Sequence, residues 1–202
     1  MITDGLNPLN VLTCIGLVLG VGAAILLGGF ALLLGRRDVA KLIAALAFGG
    51  VDLYVALLLT SALTSRDRVL ALGQEKHICE VDCHLAYSVV AVETHGTRCT
   101  VTVKVRFDET TISSHRGMAP LTPNSRYAAL VDDRGRRYEA PTDGLRRRLV
   151  PGESYITPLV FDVSADARDL RLVLRNDDPE TRLVIGHENS FLHGKTTFRI
   201  SS

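Results

Sequence analysis

The stretch LNVLTCIGLVLGVGAAILLGGFALLL, residues 9–34, holds no charged side chain, and LIAALAFGGVDLYVALLLTSALT, residues 42–64, holds only Asp52. At 1.5 Å per residue each is long enough as a helix to cross the roughly 30 Å hydrocarbon layer of a bilayer. A secretory signal would have a basic start and a short apolar run, whereas only Asp4 is charged before residue 9 and the first run is 26 residues long. The two runs therefore read as a retained transmembrane helical hairpin. Its tight connection, Gly35 to Lys41, carries Arg36, Arg37 and Lys41, and the positive-inside bias places that loop in the cytoplasm. Arg66 and Arg68, just after the second run, weigh in the opposite direction but are fewer. The chain beyond the hairpin is then expected on the outer face, in the periplasm of a bacterium with its hairpin in the inner membrane.

Two features of the spans point outward from this chain. Gly16 and Gly20 have the four-residue spacing that lets helix backbones approach closely, either against the second span or against another protein. Asp52 falls near the middle of the second run, where a carboxylate costs about 2.5–3.5 kcal/mol even on insertion scales. The spans supply no Lys, Arg or His to pair with it, only hydroxyls such as Tyr54, Thr60 and Thr13. A helix from another subunit is the expected cover, and Gly16, Gly20 and Asp52 are the expected docking residues.

Residues 65–202 hold 20 Lys and Arg against 19 Asp and Glu, a balance that excludes a general nucleic-acid binder, and Trp is absent from the chain. From Lys76 the apolar period falls to two. Cys79 to Ala91 and Cys99 to Phe107 read as antiparallel strands joined through Glu93 to Arg98, with Gly96 at the bend. Further strands are expected at Tyr127 to Val131, Arg137 to Glu139, Tyr155 to Val163, Leu170 to Leu174, Leu183 to Ile185 and Thr196 to Ile200. Seven or eight short strands without an intervening amphipathic helix indicate a β-sandwich. The fold class is a two-helix transmembrane hairpin followed by an all-β, immunoglobulin-like sandwich. The expected organisation is a short N-terminal segment over 1–8, the hairpin over 9–64, a linker over 65–75 and the periplasmic sandwich over 76–202.

Pro151-Gly152-Glu153 with Leu159 to Val163, Ile78 to Tyr87, and Gly186 to His193 together resemble a family of uncharacterised bacterial membrane-anchored proteins with an immunoglobulin-like extracellular β-sandwich. The resemblance implies a fold and no activity.

Cys79 and Cys83, with His84 beside them, have the Cys-x3-Cys spacing of the copper loop in oxidase subunit II. Tyr87 stands where that family has histidine, and no methionine is near. Another copper or zinc site could be built from Cys79, Cys83 and His84 with His187 or His193. Against it stands a disulfide, favoured in an oxidising compartment. An extended Cys79–Cys83 stretch would separate the two by about 13 Å, beyond bridging distance. Either the stretch bends, or one of the pair bonds Cys99, and one buried thiol remains free in both cases.

His187-Glu188-Asn189-Ser190 with His193 reads as a turn capped by its own side chains. Six arginines between 134 and 148, among them Arg136, Arg137, Arg146, Arg147 and Arg148, form either a solvated face or a contact for an acidic partner or anionic lipid. No serine elbow, phosphate loop or zinc-protease helix is present, so no enzyme is expected. The leading expectation is a non-catalytic accessory subunit docked in a larger integral-membrane assembly, respiratory or photosynthetic, with other membrane subunits and lipid as partners and no cofactor. The rival is a copper-binding or electron-transfer head.

Overall fold

The structure, a computed structural model, describes residues 2–4, 8–78, 83–112, 117–176 and 178–200. Two helices, α1 (Pro8–Leu33) and α2 (Arg37–Thr64), account for the apolar runs, and both are long and apolar enough to cross a membrane. Gly35 sets the turn between them. At φ +74° it adopts the left-handed conformation, its N–H donates to the Leu32 carbonyl and the next N–H, of Arg36, donates to Ala31. This paired closure is the Schellman motif, in which a β-carbon at the left-handed position would be strained. Asp38 in the first turn of α2 complements the positive end of that helix.

Ten strands are found among the described residues: β1 (Ile2–Asp4), β2 (Arg68–Leu70), β3 (Glu75–Ile78), β4 (Leu85–His95), β5 (Arg98–Phe107), β6 (Tyr127–Val131), β7 (Arg137–Glu139), β8 (Ser154–Asp162), β9 (Arg171–Arg175) and β10 (Thr196–Arg199). They form two five-stranded sheets, ordered β1-β3-β4-β5-β8 and β2-β10-β9-β6-β7. The core is built by alternation. Cys99, Val101, Val103, Val105 and Phe107 of β5 are all fully buried, as are Tyr87, Val89 and Phe161 in the same sheet. They share one cluster with Leu130, Leu172, Leu174 and Phe198 from the other sheet. Each such side chain contributes about 1.5–3 kcal/mol by leaving water, which makes β5, paired on both edges, the backbone of the sandwich. Pro158 is accommodated in β8 because that strand lies at a sheet edge.

Several strand assignments need correction. The strand expected from Cys79 starts at Leu85 among the described residues; 79–82 lie outside them, and Cys83 and His84 precede it. The expected connection Glu93 to Arg98 shrinks to Gly96-Thr97, because β4 continues to His95 and pairs with Arg98. The alternation in β4 also changes phase: pairing shifts between Val89 and Ala91, so Val90 turns outward and Val92, not Ala91, packs on the core. The stretch 65–75 contains β2, paired in parallel with β10, and is part of a sheet. Leu183 to Ile185 is no strand; Leu183 ends the 3-10 turn Pro179–Leu183.

The chain divides into two compact units: residues 1–5, 66–179 and 194–202 form the sandwich, and 6–65 with 180–193 form the helical unit. It thus leaves the sandwich twice. Gly194 stands at the second return, where an added β-carbon would come within 2.5 Å of the Arg66 carbonyl carbon and 2.9 Å of the Asp67 nitrogen. Both neighbours are main chain in the segment leading out of α2, so no side chain is available to move aside. Gly194→Ala is expected to cost about 1–3 kcal/mol, read as a lowered denaturation midpoint of the full-length protein in detergent.

Candidate functional site

The helix pair buries little of itself. Leu26 and Leu33 of α1 are 75% and 87% exposed, and the apolar surface continues through Leu42, Leu46, Phe48 and Leu53 of α2. The glycines are not spent on the contact between the two helices. A β-carbon added at Gly16, Gly20, Gly22, Gly29, Gly49 or Gly50 would meet nothing within 4 Å, and one at Gly28 would reach only Ile43, at 3.9 Å. Gly16, Gly20, Gly28, Gly29 and Gly50 line two shallow apolar grooves along the pair. One, of about 380 Å³, is bordered by Ala24, Gly28, Gly29, Ala44 and Ala47; the other, of about 360 Å³, by Gly16, Gly20, Ala23 and Gly50. Asp52 is exposed on α2, and it makes no hydrogen bond or ion pair among the described residues. Neither Tyr54, Thr60 nor Thr13 serves it: the two threonines donate to helix carbonyls four residues back, at Ala56 and Leu9.

Tyr54 is instead buried, and its hydroxyl donates to the Leu183 carbonyl at 2.6 Å. Asn10 Nδ2 donates to the Ile185 carbonyl at 2.8 Å, and Gly186 lies near both Asn10 and Ser61. Residues 180–193 are thereby fastened along the third of the helix pair that holds the start of α1 and the end of α2, a docking the residue pattern gave no sign of beyond two polar groups in apolar helices. The segment holds itself by turns. Its N–H groups at Val184, His187, Ser190, Phe191 and His193 donate to carbonyls at Thr181, Val184, His187, Arg182 and Ser190. The Ser190 hydroxyl donates to Val184, and the Asn189 N–H donates to His187 Nδ1, so the serine and histidine side chains cap the turn where the Asn and Glu side chains were expected to.

In the sandwich, Cys83 is disulfide-bonded, Cys99 is a buried free thiol and Cys14 is free in α1. Pairing with Cys99 is thereby excluded; Cys79 lies outside the described residues. A disulfide sulfur is no thiolate ligand, and His84 is already engaged: its Nδ1 lies 2.6 Å from the Thr111 hydroxyl and its ring stacks on Phe107. His84 belongs to the sandwich, whereas His187 and His193 belong to the helical unit. Among the described residues no three His, Cys, Asp or Glu side chains are grouped for a metal.

The arginines divide by role. Arg136 is bound to Asp132 at 2.6 Å and Asp166 at 2.9 Å, so it closes the β6–β7 turn, while Arg147 lies over the Tyr155 ring. Arg137, Arg146 and Arg148 are exposed. Arg137 also borders an open groove of about 400 Å³ on the outer face of the second sheet, with Arg171, Arg175 and Lys195. Asp67, Asp132, Asp133 and Asp169 border the same groove, so it presents no single sign of charge to a ligand.

A charged cluster inside the sandwich escapes sequence reading altogether. Lys76 is fully buried, its ammonium donating to the Leu174 and Thr196 carbonyls of the opposite sheet at 2.9 and 3.0 Å. Next to it His77 meets Asp108 at 3.2 Å, and Arg106 bridges Glu75, bidentate, and Asp108. Burial pushes the Asp108 carboxyl up, yet the hydrogen bonds from Thr110, Arg106 and His77 outweigh it and hold it well below its ordinary value of 3.8. The Arg106 hydrogen bonds likewise hold Glu75 low. The cluster is a tie between strands, joining Glu75 and His77 of β3 to Arg106 of β5 and to Asp108 just after it.

Two measurements check these assignments. A carboxyl with a depressed folded value contributes stability in full above 3.8 and loses it as pH falls through the folded value. Asp108→Asn should therefore cost about 1.5–3 kcal/mol at neutral pH and flatten the acid limb of a pH–stability profile. Tyr54→Phe leaves the Leu183 carbonyl without its donor and should cost about 1–3 kcal/mol, seen as faster proteolytic cleavage within 180–193 while the sandwich stays intact.

No family model and no curated protein matches this sequence. Among solved structures, the chain is similar to that of a secreted protein from Mycobacterium tuberculosis, MPT63, at 12% identity, over 67% of this chain and 99% of that one, with a TM-score of 0.45.

Proposed function

We propose that this protein is a non-catalytic subunit of a larger integral-membrane assembly in the bacterial inner membrane. In this reading α1 and α2 span the bilayer, the Arg36–Lys41 loop is cytoplasmic, and an immunoglobulin-like sandwich is carried in the periplasm. The observation that carries it is the open space over the glycines. In a lipid bilayer no hydrophobic force drives helices together, and small residues earn their place by letting a neighbouring backbone come close. Here a β-carbon added at Gly16, Gly20, Gly29 or Gly50 would meet no atom within 4 Å, and these four positions border two apolar grooves. The occupant we assign to them is a transmembrane helix of another protein. Asp52, which lines neither groove, adds a second demand, since a carboxylate at that depth needs a donor that this chain does not offer among the described residues.

A copper-bearing head gains nothing from the geometry, because Cys83 is oxidised and the histidines lie in separate units.

The test is extraction of the native protein in mild detergent. Comigration with a larger membrane complex is expected. Gly20→Leu, whose β-carbon would meet no atom within 4 Å and whose side chain would occupy the groove, should release the subunit from that complex and leave its own thermal midpoint unchanged. Migration of the unaltered chain as a lone small particle would remove the proposal.

A further inference from the structure

Residues 180–193 have their polarity reversed for a loop in water. His187, Glu188 and Ser190 are 5%, 6% and 2% exposed, while Leu183, Phe191 and Leu192 are 52%, 54% and 73% exposed. Leu192 is held outward in a left-handed conformation, φ +59°, which a leucine rarely adopts. Burying the polar side chains and displaying the large apolar ones is unfavourable against water and favourable against hydrocarbon.

The position of the segment agrees. A hydrocarbon layer takes about 20 helical residues, so counting from Lys41, the last charge before the apolar run, the outer boundary falls near Ser61. Gly186 lies beside Ser61, and Leu183 is bonded to Tyr54, seven residues or about 10 Å lower along α2. Main chain at such a depth must have its polar groups paired within the protein. The turns of this segment pair six of its N–H groups, and Asn10 and Tyr54 take the two carbonyls at Ile185 and Leu183 that point at the helices. Glu180 and Arg182, the exposed charges of the segment, both lie at its start, and the long side chain of Arg182 can carry the guanidinium up to the phosphates.

We infer that residues 180–193 are a second membrane element: a wedge that inserts Leu183, Phe191 and Leu192 among the acyl chains of the outer leaflet, with Arg182 at the headgroups. This rests on the membrane-spanning reading of α1 and α2, and the partner it names is lipid.

The absence of tryptophan makes the test direct, because one introduced indole reports alone. Full-length Phe191→Trp, Leu192→Trp and Leu19→Trp, the last in the middle of α1, are reconstituted into phosphatidylcholine–phosphatidylglycerol vesicles whose chains carry bromine at shallow or deep carbons. The indoles at 191 and 192 should be quenched most by shallow bromines, at a depth of about 5–10 Å below the headgroup boundary, and the indole at 19 most by deep ones. Quenching at 19 with none at 191 or 192 overturns the wedge and leaves the anchor standing. Blue-shifted but unquenched emission at 191 and 192 overturns it equally, since it would mean that protein covers the segment. No quenching at 19 overturns the spanning reading, and the wedge with it. Two wedge positions are used so that a folding failure of one variant does not decide the result.

Discussion

A main chain that lies against an apolar helix finds almost nothing there to bond to, and the arrangement of residues 180–193 follows from that constraint. Two polar side chains on the helix pair supply what is missing: Asn10 and Tyr54 donate to the carbonyls of Ile185 and Leu183. Among the described residues, turns closed by Ser190, His187 and Asn189 add further bonds within the segment. Without these two donors the segment would have either to leave the helices for water or to bury orphan carbonyls, each costing about 1–3 kcal/mol. Their presence explains how a stretch far downstream of α2 comes to belong to the helical unit.

The sandwich was legible where one face of a strand is apolar and the other is not. β5 and β8 follow the alternation, with the buried positions of β5 as expected. β3 was not legible, because its buried positions include Lys76 and His77, residues that read as solvent-facing. They are tolerated through partners drawn from distant strands, Leu174 and Thr196 for the lysine and Asp108 for the histidine, and no local pattern encodes those. The bulge at Val90 was hidden in the same way, since Val89, Val90 and Val92 suit either phase. Leu183-Val184-Ile185 deceived in the opposite direction. Its residues favour strands, but no strand edge meets it, and Pro179 with Gly186 at φ +75° bend it into turns.

In the hairpin, composition was enough for the helices and their length, while the use of their faces depends on three-dimensional packing. Gly16 and Gly20 are compatible with an internal or an external contact, and only the empty space beside them separates the two. Asp52 and Tyr54, two residues apart on one helix, have opposite fates for the same reason. Their side chains leave α2 about 200° apart, so Tyr54 reaches the returning segment and Asp52 faces away from it. A polar residue in an apolar helix announces that a partner is needed without saying which side will provide it.

The connection between β9 and β10 is where the architecture departs furthest from economy. These strands are antiparallel neighbours, and such pairs are joined by about two to five residues in most proteins. Here the chain runs from Arg175 to Thr196 by way of the helical unit. In loop-closure entropy the detour is cheap, about 0.6 kcal/mol for each doubling of length, so the sandwich tolerates it. Tolerance does not account for its content, however: a merely tolerated insertion in water would drift towards polar, exposed side chains, and this one buries His187, Glu188 and Ser190 and displays Leu183, Phe191 and Leu192. Gly194 packs against the Arg66–Asp67 main chain with no room for a β-carbon, and β10 begins two residues later beside β2. The strand that completes the second sheet is therefore reached only through the segment that docks on the helices, which ties the docking of residues 180–193 to the finishing of the fold.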